Sequence, residues 1–173
     1  MRLDKSFYER DVLLVAPDLI GKKLMRYSEE GIISYTITEV EAYNGKEDEA
    51  SHARFGKTQR NAVMFENGGL IYMYFIYGMY WMVNIVTGIP GQPQAILIRG
   101  LEGISGPGKV TRHLQLDKSF NGEDLGISER IWIEEGKAGH AIIQLPRIGI
   151  NYASEPWKSK PWRYIMAPGP KIS

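Results

Sequence analysis

Cysteine is absent from the 173-residue chain. That excludes a disulfide framework, a cysteine nucleophile and a thiolate zinc site, and it fits a reducing compartment. No apolar stretch approaches the roughly 20 residues of a membrane-spanning helix. The opening MRLDKSFYERDVLL also has too short an apolar run for a signal peptide. The three histidines, His52, His113 and His140, lack metal-ligand spacing, so neither a metal nor a cofactor is expected. Net charge is nearly absent too: 21 basic against 20 acidic residues leave +1, without the electropositive excess of many nucleic-acid binders. A monomer without a membrane partner is expected, in the cytoplasm or nucleoid (the nucleus in a eukaryote).

What is present describes an ordinary globule. Hydrophobic residues make up 43% and charged residues 24%, and this length suffices for one domain spanning 1–173 with a core of its own. The near-zero charge hides a segregation. Residues 28–51 hold seven acidic groups and one basic (net −6), whereas residues 52–113 hold six basic and two acidic (net +4). Such asymmetry suits an anion-binding face beside a carboxylate site, and equally two solvated faces of opposite sign.

Helix-like spacing runs from Phe7 to Leu24, interrupted at Pro17, where a second short helix is expected to open and to stop at Gly21. IISYTITEVEAY alternates with period two and reads as a strand that places Ile33, Tyr35, Ile37, Glu39, Glu41 and Tyr43 on one face. NGKEDEASHARFGKTQRN is a long polar loop, either functional or mobile. LIYMYFIYG, WMVNIV and AILIRG read as strands, SGPGKVTRHLQL as a helix entered through a Gly-Pro turn, and IWIEE, RIGI and WRYIMA as weaker strands. Strands in hairpin-like runs with helices toward the ends predict an α+β fold, a mostly antiparallel curved sheet with helices packed around it.

Glu41 and Tyr43 share a strand face about 7 Å apart, so a carboxylate and a ring project into one space. A carboxylate at the end of an apolar face suits a general base, because partial burial raises its pKa. A rim carboxylate salt-bridged to Arg99 or Lys109 is the plainer alternative. Tyr72, Tyr74, Tyr77 and Tyr80 beside a basic loop suit base stacking, although aromatic strands are also common core material.

Taken together, EVEAYNGKEDEASHARFGKTQRNAVMF, LIYMYFIYGMYWMVNIV, ILIRGLE and SGPGKVTRHL closely resemble the alkyladenine (3-methyladenine) DNA glycosylases of the mammalian and bacterial alkylpurine type. The resemblance runs from about Phe7 to Lys171. It implies a single glycosylase domain that flips a damaged purine (3-methyladenine, 7-methylguanine, hypoxanthine or ethenoadenine) out of duplex DNA and hydrolyses its N-glycosidic bond. Carried over by position, Glu41 looks like the residue that deprotonates the attacking water, and Arg99 like the partner that helps place it. Tyr43 would stack on one face of the base, with His52 and Tyr74 closing the other. Tyr77, projecting from the opposite strand face, would be the wedge left in the duplex, and Asn84 would crowd the 2-amino group of guanine. Backbone near Arg147 to Ile150 would line the water site. Arg54, Lys57, Arg60 and Lys109 are the candidates for the DNA backbone. With water as nucleophile, no lysine Schiff base is required and strand cleavage is not expected.

One departure stands out. The family usually carries a sizeable insert where only Gly103, Ile104 and Ser105 separate Glu102 from Gly106 here. Trp81 is also a larger ring than expected at its place. Two other function classes use some of these residues: a non-catalytic nucleic-acid-binding module, which has no use for Glu41, and a nucleoside or sugar hydrolase working through Glu39 and Glu41.

Overall fold

The computed structural model of the protein describes residues 1–169; Pro170 and Lys171, the end of the resembling stretch, lie outside them. The strand expected around IISYTITEVEAY is the spine of the molecule, β2 (Gly31–Asn44). Before it come α1 (Lys5–Tyr8), α2 (Val12–Leu19) and β1 (Lys23–Ser28). After the long loop come β3 (Ile71–Ile76), β4 (Tyr80–Thr87), β5 (Gln94–Leu101), the two-residue β6 (Ile104–Ser105), α3 (Pro107–His113), β7 (Ile131–Glu134), β8 (Ile142–Leu145) and β9 (Arg163–Met166). The main path of the sheet runs β3-β4-β5-β2-β1-β7, with β6 on β5 and the β8-β9 pair on β2. All the strand pairings are antiparallel. This is the α+β architecture that the pattern predicts.

Several local expectations move. The second helix begins at Val12 rather than at Pro17. The Asp11 side chain caps it by accepting from the Leu13 N–H, and burial of Val12, Val15, Ala16 and Leu19 outweighs the one hydrogen bond that Pro17 cannot make. Leu24 lies in β1, not in a helix. RIGI is not a strand; pairing occurs upstream at Ile142–Leu145, and Pro146 closes it. The short connection after Glu102 is a tight hairpin: Gly103 takes φ +80° and β6 folds back on β5. Trp81 pairs across strands with Phe75, ring centroids 4.7 Å apart, and packs against the main core.

The sheet's most consequential irregularity lies between β2 and β5. Ile37 and Leu101 pair in register, Glu39 then pairs with Gly100, and Val40 with Ile98. Each strand thus bulges once, near Thr38 and Arg99. Ile37 and Leu101 sit in the core before the bulges, and Val40, Ala42, Ile96 and Ile98 after them. Both strands therefore change face together, and Glu41 leaves the face of Ile37. Bulges that re-aim side chains in this way gather beside active sites.

Candidate active site

The re-aimed faces of β2 and β5, with β3, β4, the loop after β2 and the segment 148–152, enclose a cavity of about 580 Å³. Nine of the eleven side chains that the resemblance assigns to the site or to DNA contacts line it: Glu41, Tyr43, His52, Arg54, Arg60, Tyr74, Tyr77, Asn84 and Arg99. Two do not. Lys57 is paired with Glu66 at 3.3 Å on the surface, and Lys109 lines a separate depression with Arg112 and His113.

Glu41 is 0% exposed and held through both oxygens. Its Oε1 accepts from the Tyr43 hydroxyl at 3.2 Å and from Arg99 Nη1 at 3.3 Å, and its Oε2 accepts from the Ile148 N–H at 2.6 Å. Burial raises its pKa above the ordinary carboxylate value, while Arg99, the Ile148 amide and Tyr43 pull it back. The result is an oriented carboxylate shielded from bulk water that stays responsive to a proton. The ion pair with Arg99 anticipated by the plainer alternative exists, but on a carboxylate within the cavity wall rather than on a rim. Arg99 is held in turn: its Nε lies 3.3 Å from Glu39, which also pairs with Arg163 at 3.2 Å. Glu39 is not among the residues that line the cavity and is held between two guanidinium groups.

Above the carboxylate lies an aromatic slot. The rings of Tyr43 and His52 are nearly parallel (18°), with centroids 6.5 Å apart. Two stacking contacts at about 3.5 Å each would need about 7 Å, so a planar base fits after a slight widening. Tyr74 backs His52 at 3.7 Å rather than facing the slot beside it, and Tyr72 meets the His52 ring edge-on, its hydroxyl 3.3 Å from Nδ1. Burial, then Arg60 and Arg54, lower the His52 pKa to about 4, so the imidazole is neutral at pH 7 and the slot walls carry no charge. Asn84 directs its amide NH₂ at the Tyr72 and Met82 carbonyls at 3.2 and 3.4 Å, which leaves its oxygen as the free acceptor.

The lowered His52 pKa has a stability consequence. The unfolded chain takes up the proton near 6.5 and the folded chain only near 4, so acidification through that window favours unfolding. Thermal midpoints should fall as pH drops from about 6.5 toward 4, and His52→Phe should flatten that part of the curve.

Tyr77 does not project from a strand as expected. It sits in the turn after β3, closed by the Met79 N–H to the Ile76 carbonyl at 3.1 Å, with φ +53° at Tyr77 and +61° at Gly78. A left-handed conformation is strained for tyrosine, and the ring is 84% exposed. The strain therefore presents a large ring to solvent at the cavity mouth.

Sequence reasoning missed a buried ion pair beneath the site. Arg147 and Asp48 are both fully buried and joined by two hydrogen bonds, at 2.5 and 2.9 Å. Asp48 also accepts from the Asn44 and Ala50 amides, and Arg147 donates to the Ala42 and Trp157 carbonyls. The next amide after Arg147 is the one that holds Glu41, so this pair fixes a wall of the site. Ninety-nine residues separate the partners, and no sequence pattern links them.

The profile of the family Methylpurine-DNA glycosylase (MPG) matches residues 6–106 and 102–170 of the chain, two stretches that meet at the short hairpin after Glu102. The chain belongs to the methylpurine-DNA glycosylase family. Curated relatives agree over nearly their full length. A protein of Methanocella arvoryzae is 39% identical over 191 residues, covering 99% of this chain and 95% of its own. One of Legionella pneumophila strain Lens is 42% identical over 183 residues, with coverages of 99% and 98%. One of Wolbachia pipientis strain wPip is 42% identical over 181 residues, with coverages of 99% and 94%. Each bears the name "Putative 3-methyladenine DNA glycosylase". The two matched stretches meet at the β5-β6 hairpin, and every cavity residue named above lies outside residues 102–106.

Proposed function

We propose that the protein releases damaged purines, alkylated or deaminated, from duplex DNA by hydrolysing the N-glycosidic bond and leaving an abasic site. The observation that carries this reading is the buried, raised-pKa carboxylate of Glu41 hydrogen-bonded to Tyr43, one wall of a slot that a single base fills after a slight widening. Base chemistry of this kind needs the nucleotide out of the stack, at a cost of a few kcal/mol that is smallest for damaged bases. The Tyr77 ring offsets part of that cost by filling the gap. The base enters between Tyr43 and His52, Tyr74 backs the stack, and the Asn84 oxygen faces the base edge. Arg54, Arg60 and the more distant Lys57 and Lys109 meet phosphates.

Glu41 takes a proton from water as its oxygen attacks the sugar C1′ and the electron pair of the C1′–N bond leaves with the purine. The same carboxylate steadies the positive character that develops on the sugar, and Arg99 and the Ile148 amide hold it in place. A cationic alkylpurine departs as a neutral base; hypoxanthine departs with a proton taken from solvent, and Glu41 returns its own proton to solvent. Because the nucleophile is water, the DNA strand stays unbroken. Two rival classes fit less well. A sugar hydrolase with paired carboxylates would need Glu39 in the cavity, whereas Glu39 is tied to Arg99 and Arg163. A passive binding module leaves the cost of burying Glu41 unexplained.

Duplexes carrying hypoxanthine, ethenoadenine or 7-methylguanine test the reading: abasic sites should appear and break under alkali, and undamaged duplex should not react. Turnover of free nucleosides without DNA would favour the hydrolase. The wedge is tested separately by Tyr77→Gly. Thermal stability should not fall, because glycine adopts positive φ freely, while base release should drop by about tenfold or more, as expected when stacking worth about 1–3 kcal/mol is lost.

A further inference from the structure

Both outer ends of the aromatic slot are capped by guanidinium groups. Behind Tyr43 the Arg147 guanidinium lies 5.0 Å from the ring centroid, and behind the stacked His52 and Tyr74 the Arg60 guanidinium lies 4.1 Å from the Tyr74 centroid. The order through the stack is Arg147, Tyr43, slot, His52, Tyr74, Arg60. A cation on one face of a ring draws on the same π density that would attract a second cation to the other face. Bare rings would favour positively charged alkylpurines; this bracket opposes that preference.

The two caps are not equivalent. Arg147 is neutralised by its two hydrogen bonds to Asp48, so little of its charge reaches the slot. Arg60 has no carboxylate within ion-pair distance among the described residues; its Nη2 donates to the Phe75 carbonyl, which fixes the guanidinium over Tyr74 without cancelling its charge. Its field reaches the slot wall, since Arg60 is the leading charge that disfavours a proton on His52. The other ionisable pair at the cavity floor, Glu41 and Arg99, is mutually compensated.

We propose that Arg60 is a specificity-determining residue: its guanidinium, stacked behind Tyr74 and His52, offsets the attraction of the slot for cationic purines and so broadens acceptance to neutral purine lesions. This rests on the glycosylase reading given above. It is tested by single-turnover release of 7-methylguanine (cationic) and hypoxanthine (neutral) from otherwise identical duplexes. Arg60→Gln should move the ratio of the two rates toward 7-methylguanine by about two- to fivefold, the weight of an exposed cation–π contact. Arg60→Lys, which keeps a charge in place, should hold the wild-type ratio. Any phosphate contact made by Arg60 slows both substrates alike and cancels in the ratio. An unmoved ratio in Arg60→Gln, or an equal shift in both variants, overturns the role of Arg60 while leaving the glycosylase reading intact. Failure of the wild-type protein to release either base overturns both.

Discussion

Glu41→Gln should bind lesion-bearing duplex as tightly as the wild-type protein and release base at a rate lower by about 10²–10⁴-fold, the usual weight of a positioned general base. The substitution keeps the size and shape of a side chain that is wholly enclosed, and it removes the negative charge together with the capacity to accept a proton. Retained binding in an electrophoretic shift assay would show that slot, wedge and rim are intact. The wild-type rate should carry its own mark of the same group. The active form is the carboxylate, and burial raises its pKa above 4.5, so activity should be lost as pH falls through a value higher than that of an exposed glutamate. Retention of base release by Glu41→Gln would remove Glu41 from the chemistry.

The second large effect belongs to the buried ion pair. Arg147→Met should strand the Asp48 carboxylate in the interior; at about 3–5 kcal/mol for a broken buried pair and about 2–4 °C per kcal/mol for a chain of this size, the thermal midpoint should fall by about 6–20 °C. Base release should fall even well below the new midpoint, because the Ile148 amide that orients Glu41 hangs on the same backbone. Arg147→Lys should recover only part of either loss: an ammonium cannot supply two parallel bonds to Asp48 while reaching the Ala42 and Trp157 carbonyls. A fully stable, fully active Arg147→Met would mean that the 147–150 segment is held by its other contacts alone.

These two effects also mark where sequence reading succeeds and where it stops. Local pattern placed β2, β3, β4, β5 and α3, because period-two alternation and a Gly-Pro helix entry are properties of a few consecutive residues. It misread Pro17 as an opening when Asp11 already caps the helix, and it placed a strand on Arg147–Ile150, whose Ile148 amide serves a carboxylate instead of a ladder. It also set Glu41 on the face of Ile37. Strict alternation gives that answer, and only the paired bulges near Thr38 and Arg99 turn Glu41 and Tyr43 together off that face and toward the cavity. Nine of the eleven candidate side chains were legible from motif resemblance and do meet around one cavity. The Asp48–Arg147 pair and the guanidinium caps on the slot were not, because each joins distant segments through geometry that no short spacing encodes; the resemblance pointed to the backbone of 147–150, but not to the Ile148 amide as the group that holds Glu41.

The near-neutral net charge acquires a spatial meaning in the same way. The acidic block contains Glu41 and the buried Asp48, while Arg54 and Arg60 of the basic block stand at the cavity. With so few cationic groups at the rim, DNA affinity should be modest and still fall with salt.

The most direct measurement is mass analysis of the products after the wild-type protein has been incubated with a saturating duplex containing one hypoxanthine. Free hypoxanthine should accumulate together with an unbroken strand lacking that base, cleaved only when alkali is added. A duplex that is fully bound yet keeps its hypoxanthine attached would contradict the role assigned to the cavity.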